Sequence, residues 1–223
     1  MERGADVVPP PNPPPHHCVY RAKEAALRCL LLPTMPKPEQ PAHTGSGPLF
    51  ERRYWVDVQH AREPAAVLLQ RIKCDVPAFS PGLLADFEKA KGEPHELRVG
   101  DEFRIKILGP WNGDVRVSAI SDDYFEFVTL ENHPEAGRIR FSLRPHPALP
   151  DALRFEIHSW ARSRDGLVAF TYDTLGMGKK VQQQTWETFC QRVAEASGGL
   201  LLGPVHVETV RQTASTTEVE QNA

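Results

Sequence analysis

Cysteine is scarce in this chain: 223 residues hold four, Cys18, Cys29, Cys74 and Cys190, widely spaced and without a CxxC pair. That spacing excludes a zinc cage or a dithiol redox motif, and reduced, mostly buried thiols are expected. A long apolar run is also missing. The stretch Ala25 to Leu32 is interrupted by Arg28 and falls far short of the ~20 residues a membrane helix needs, and no small-residue cleavage site follows it. The expectation is no transmembrane insertion and a cytoplasmic address. Neither sign of charge dominates, since 26 basic and 29 acidic side chains leave a formal net charge of -3. Nucleic acid is therefore not an expected partner. Gly176-Met177-Gly178 lacks the remaining glycines of a dinucleotide loop, no GKS/T occurs, and Ser159 and Ser163 have no nucleophile-elbow context. No cofactor and no metal is expected.

Proline is abundant and unevenly placed. Eleven of the 21 prolines precede residue 49, a density that forbids helix and central strand. Residues 1–48 therefore read as a mostly disordered leader, with Tyr20 to Leu32 as a potential short helix. Such a segment could recruit an aromatic-grooved adaptor domain. After Pro204 the sequence is polar and Thr/Glu-rich, and residues 204–223 read as a disordered tail.

Residues 49–203 remain for a single domain, and their periodicity is legible. In Phe50 to Val58, Tyr54, Val56 and Val58 share one face while Arg53, Trp55 and Asp57 share the other, the period-two signature of a strand. Two helix signals follow: Pro64 ahead of AAVLLQRIK, and Ser80-Pro81 ahead of GLLADFEKAK, closed by Gly92. Six alternating segments come next, Glu102 to Leu108, Val115 to Ile120, Tyr124 to Leu130, Arg138 to Leu143, Leu153 to Trp160 and Leu167 to Tyr172, separated by short turn-forming runs. Last, Lys179 to Ala196 places Val181, Thr185, Trp186, Phe189, Cys190 and Val193 at helical spacing before Gly198-Gly199. The expected class is α+β: a seven-stranded curved antiparallel sheet wrapped on a long C-terminal helix, in the order β-α-α-β6-α. A strongly curved sheet is not always filled by one helix, so a cavity is expected between them.

This order resembles the helix-grip fold of START-like and birch-pollen-allergen-like proteins, whose sheet and terminal helix enclose a hydrophobic pocket. A sharper resemblance lies in FEFVTLENHPEAGRIRF, Phe125 to Phe141. It is similar to an uncharacterised bacterial and plant family, domain of unknown function nineteen-ninety, through Phe125, Phe127, Thr129, Leu130, His133, Pro134, Glu135, Gly137 and Phe141. Glu131-Asn132 departs from that pattern where a Pro-Gly step is expected, and Arg138 departs where an acidic residue is usual.

The candidate pocket lining is the inward apolar set Phe103, Ile105, Val117, Phe125, Phe127, Phe141, Phe155, Ile157, Trp186 and Phe189, each of which could equally be plain core. His133 and Tyr172 are the polar candidates. His133 beside Glu135 could do acid-base work, although Pro134 and Gly137 also make the segment a plain hairpin connection. His158 is expected on the outer face with Arg154, Glu156 and Trp160. Three uses stay open: binding a small hydrophobic or amphipathic ligand such as a lipid, sterol or polyketide-like molecule; an interaction scaffold recruited through the leader; and a cyclase- or hydrolase-like enzyme using a polar pocket residue.

Overall fold

The computed structural model describes residues 36–82, 85–107, 112–165, 177–213 and 217–222. The segments called as a leader helix (Tyr20 to Leu32) and as a seventh strand (Leu167 to Tyr172) lie outside these residues, as does Tyr172. The described chain runs β1 (Ser46–Gln59), α1 (Ala65–Cys74), α2 (Val76–Phe79), β2 (Ala85–Lys91), β3 (Glu102–Ile107), β4 (Asn112–Ile120), β5 (Tyr124–Thr129), β6 (Glu135–Pro145), β7 (Ala152–Ser163), α3 (Met177–Ser197), β8 (Leu200–Leu201), β9 (His206–Gln212) and β10 (Thr217–Asn222). All ten strands join one sheet in the order β10-β9-β1-β7-β6-β5-β4-β3-β2, with β8 paired to the end of β1. Consecutive strands β2 to β7 form an antiparallel meander, as short turn-rich connections require.

The class is α+β as expected, and three details differ. The second predicted helix is replaced by β2. Its ADFEKAK run has helix-forming composition, but Ala85 and Phe87 alternate into the core and Phe87 pairs with Ile105 of β3. Lys89, next on that face, is held by an ion pair of 2.7 Å to Asp101 in which both side chains are buried. Tertiary pairing thus overrides local propensity. The second short helix is instead Val76–Phe79, capped by Asp75 accepting from the Ala78 N–H at 3.2 Å.

Second, residues 206–212 are not a tail. Val207 is buried and β9 pairs antiparallel with β1 from Leu49↔Gln212 to Trp55↔His206, so it covers what would otherwise be a bare edge. Third, the structured chain begins before residue 49. The Gln40 backbone N–H donates to the Thr129 carbonyl at 2.7 Å, and the Gln40 side chain reaches the His133 and Glu135 carbonyls at 2.9 Å each.

The core lies between the inner sheet face and α3. Trp186, Phe189, Cys190, Val193 and Ala194 of α3 are buried, and the helix stops at Gly198, whose φ of 63° a glycine adopts without strain. Arg192 fixes α3 against the α2 region by donating to the carbonyls of Ala78 (3.0 Å) and Ser80 (2.5 Å). Cys74 is disulfide-bonded, a correction to the expectation of reduced thiols. Cys190 is free, and burial pushes its thiol pKa up, which keeps it protonated and inert.

Candidate ligand cavity

The register fixes which side chains meet under α3. Across the sheet, Arg52 of β1 lies opposite Ser159 of β7, Ser159 opposite Ile139 of β6, Ile139 opposite Phe127 of β5, and Phe127 opposite Val117 of β4. The neighbouring row on the same face contains Tyr54, Ile157, Phe141 and Phe125. These rows behave differently.

Around the second row the aromatic rings close on one another. Phe125 and Phe141 stack with centroids 4.8 Å apart, Phe155 and Phe189 stack at 5.7 Å, and Phe141 meets Phe189 at 5.2 Å. Phe125, Phe141, Phe155, Ile157 and Phe189, named above as candidate lining, are fully buried here, Phe103 and Val117 are fully buried beside Phe127 of the first row, and all seven pack as core.

Around the first row the packing is open. Two adjoining lobes provide about 70 Å³ and 60 Å³ for the centres of water-sized molecules. Both are lined by Phe87, Ile105, His133, Glu135, Gln182 and Trp186, so they form one cavity. The first opens past Ala85, Pro134 and Val181; the second continues over Phe127, Thr129, Ile139 and Ser159. Of the candidate residues, Ile105, Phe127, Trp186 and His133 therefore reach the cavity. Glu135, Gln182, Ser159, Thr129 and Phe87 were not foreseen as lining. Ser159 could have been found from its alternation with Ile157 and Phe155, and Gln182 from its place one turn before Trp186.

The polar end is firmly built. Glu135 accepts from Arg52 Nη1 at 3.2 Å and from Gln182 Nε2 at 3.1 Å, which joins β1, β6 and α3 through one carboxylate. The Glu135 backbone N–H donates to His133 Nδ1 at 3.0 Å, and Thr129 Oγ1 accepts from the Gly137 N–H at 2.9 Å. Burial holds the His133 imidazole below its ordinary pKa, against the opposing pull of Glu135, so the ring is neutral at pH 7. It lies so close over Gly113 of β4 that a Cβ there would overlap it. Two buried polar atoms have no hydrogen-bond partner among the described residues: Ser159 Oγ and Trp186 Nε1. Both residues line the second lobe.

His158 is on the outer face, as read from the sequence, with Nε2 2.8 Å from Glu51 Oε1 and its ring against Trp160 at 3.7 Å. Arg138, Arg140 and Arg144 share that face, where Arg140 pairs with Glu126, Arg144 with Asp123, and Arg138 lies over the Trp160 ring. Among the described residues no three His, Cys, Asp or Glu side chains converge to hold a metal, and no helix is long and apolar enough to cross a membrane.

A curved antiparallel sheet closed over one C-terminal helix, with a cavity between them, defines the helix-grip class of proteins. Within it, residues 85–192 match the family model described as "Domain of unknown function (DUF1990)", the family that the Phe125 to Phe141 segment resembles. Every residue lining the cavity falls inside that match. No curated protein matches the chain. Among solved structures, norcoclaurine synthase from Thalictrum flavum is similar with a TM-score of 0.48 and 8% identity, covering 74% of this chain and 96% of that one. A conserved protein from Geobacillus kaustophilus aligns with a TM-score of 0.43 and 12% identity, over 66% of this chain and 96% of that one. The di-domain ARO/CYC StfQ from the steffimycin biosynthetic pathway aligns with a TM-score of 0.46 and 12% identity, over 67% of this chain and 50% of that one.

Proposed function

We propose that the protein binds a small, predominantly apolar molecule in the cavity between the inner sheet face and α3. The observation behind this reading is the contrast within one core: aromatic packing is tight around Phe141 and Phe189, yet gives way to a two-lobed cavity under Trp186. Interiors normally close such gaps, because each unfilled volume forfeits contacts. The lobes are small beside the roughly 300–1,000 Å³ of sites for drug-sized ligands. Among the lipid, sterol and polyketide-like classes, the size favours a compound of one or two rings; a sterol would require α3 to lift. The cytoplasmic address belongs to the same reading, and the disulfide at Cys74 counts against it.

Native mass spectrometry of the freshly purified full chain tests this proposal. A small molecule released on denaturation, and lost in a Trp186→Ala variant that still folds, is the expected result. A clean apo mass together with no thermal shift across a panel of one- and two-ring compounds would overturn it.

A further inference from the structure

The Glu135 carboxylate decides which polar group a ligand of the cavity must bring, an inference that rests on the binding reading above. By strand alternation Glu135 faces the same side of β6 as Ile139 and Phe141. The groups that hold its carboxylate reach it from two sides, Arg52 Nη1 from the inner face of β1 at 3.2 Å and Gln182 Nε2 from α3 at 3.1 Å. The carboxylate therefore stands between sheet and helix, and Glu135 and Gln182 each line both lobes. It is not sealed off there: the Glu135 side chain keeps 18% of its surface accessible, against 8% for Arg52. A carboxylate has about four acceptor sites, and among the described residues Arg52 and Gln182 take up two of them. Spare acceptor capacity beside the apolar walls of Phe87, Ile105 and Trp186 is satisfied by a ligand that donates to it.

The charge of the donor follows from the groups around the carboxylate. Arg52 already pairs with Glu135, and the other polar neighbours, Gln182, Thr129 and the His133 ring that burial keeps neutral, add no charge. Arg138 also borders the second lobe, but its guanidinium lies over the Trp160 ring at 4.6 Å, on the outer face of the sheet. An ammonium ligand would thus leave a surplus positive charge in an enclosed site, and a carboxylate ligand would face Glu135 with Arg52 already committed.

We infer that the ligand is a neutral hydrogen-bond donor of one or two rings, a phenol or a ring N–H compound, whose O–H or N–H donates to the Glu135 carboxylate.

Five bicyclic probes of similar size separate the alternatives. Indane has no polar group, 2,3-dihydrobenzofuran only an acceptor, indole a neutral N–H, 5-indanol a neutral O–H and 2-aminoindane an ammonium. Affinities for the full chain are measured by ligand-observed NMR or calorimetry. The expected result is 5-indanol or indole binding about tenfold tighter than indane, as a net hydrogen bond to a charged group implies, with no gain for 2,3-dihydrobenzofuran. Glu135→Gln, which removes the charge but keeps an acceptor for Arg52, should shrink that advantage several-fold and leave indane unchanged. The probe series uses the unaltered chain, so it decides even if Glu135→Gln does not fold. Indane or 2,3-dihydrobenzofuran binding as tightly as both donors would overturn the donor inference while leaving the cavity as a binding site. An advantage that persists in full in a folded Glu135→Gln variant would overturn the assignment to Glu135. Tightest binding of 2-aminoindane would overturn neutrality of the group. If none of the five binds at millimolar concentration, both the inference and the binding reading fail.

Discussion

The two ends of the inner sheet face share the same strands and the same helix, yet one is shut and the other open. At the shut end, Phe125, Phe141, Phe155 and Phe189 meet ring to ring at 4.8 to 5.7 Å. At the open end, the inward positions carry the short Ser159 together with Thr129, His133, Glu135 and Gln182, whose hydrogen bonds hold them in place. A tethered carboxylate cannot collapse into a gap as a phenyl ring can. Burial of rings makes stability at one end, and hydrogen bonding preserves space at the other.

The most direct way to break this comparison is to truncate each end. Phe189→Ala should cost about 3–5 kcal/mol in chemical denaturation, since it deletes the ring on which Phe79, Phe141 and Phe155 converge. Trp186→Phe, which keeps an aromatic body and removes an N–H without a partner among the described residues, should cost within about 1 kcal/mol. Equal costs would mean that the open end is as tightly packed as the shut one. The comparison sharpens at Gly113. Gly113→Ala should cost roughly 1–3 kcal/mol, because its methyl group would overlap the His133 ring. Much of that cost should disappear in the Gly113→Ala, His133→Ala double variant, and a strictly additive pair would show that the ring does not pack on Gly113.

The sheet was legible where its strands alternate plainly. Tyr54, Val56 and Val58 read inward and are buried, while Trp55 and Asp57 read outward. The same holds for Phe125 against Phe141, and for the α3 face with Trp186 and Phe189. Legibility failed where pairing, not composition, decides the structure. Ala85 to Lys91 carries helix formers but is drawn into the sheet by β3, and His206 to Gln212 has a single buried apolar side chain and is a strand because β1 offers an edge. The cavity was half legible. Periodicity places Ile105, Phe127 and Trp186 on the inner face, but it cannot say that Phe155 meets a ring from α3 while Ser159, four residues on, meets a space. That distinction depends on how far the helix stands from each row of the sheet. Gln40, whose amide fixes the His133 to Glu135 turn, was hidden by its place among prolines.

The smallest expected effect concerns protonation, and it compares the inner face with the outer. Burial lowers the His133 pKa from the ordinary value of 6.5, with Glu135 and Asp114 raising it and Arg164 lowering it further. Burial also lowers that of His158, with Glu51 and Glu156 opposing. A histidine whose folded pKa lies below its unfolded value binds its proton more readily in the unfolded chain. Its contribution to stability is therefore intact above about pH 6.5 and is lost as pH falls from there toward the folded pKa, below which the loss levels off. Each such residue can supply at most about 1.4 kcal/mol per pH unit of slope. His133→Gln should flatten the decline in denaturation midpoint below pH 6.5 more than His158→Gln does, because the largest influence on both is burial and His133 is the more enclosed, at 7% exposure beside a half-buried His158. A slope removed entirely by His158→Gln and untouched by His133→Gln would show that the cavity histidine titrates as freely folded as unfolded. The polar end would then be wet rather than enclosed.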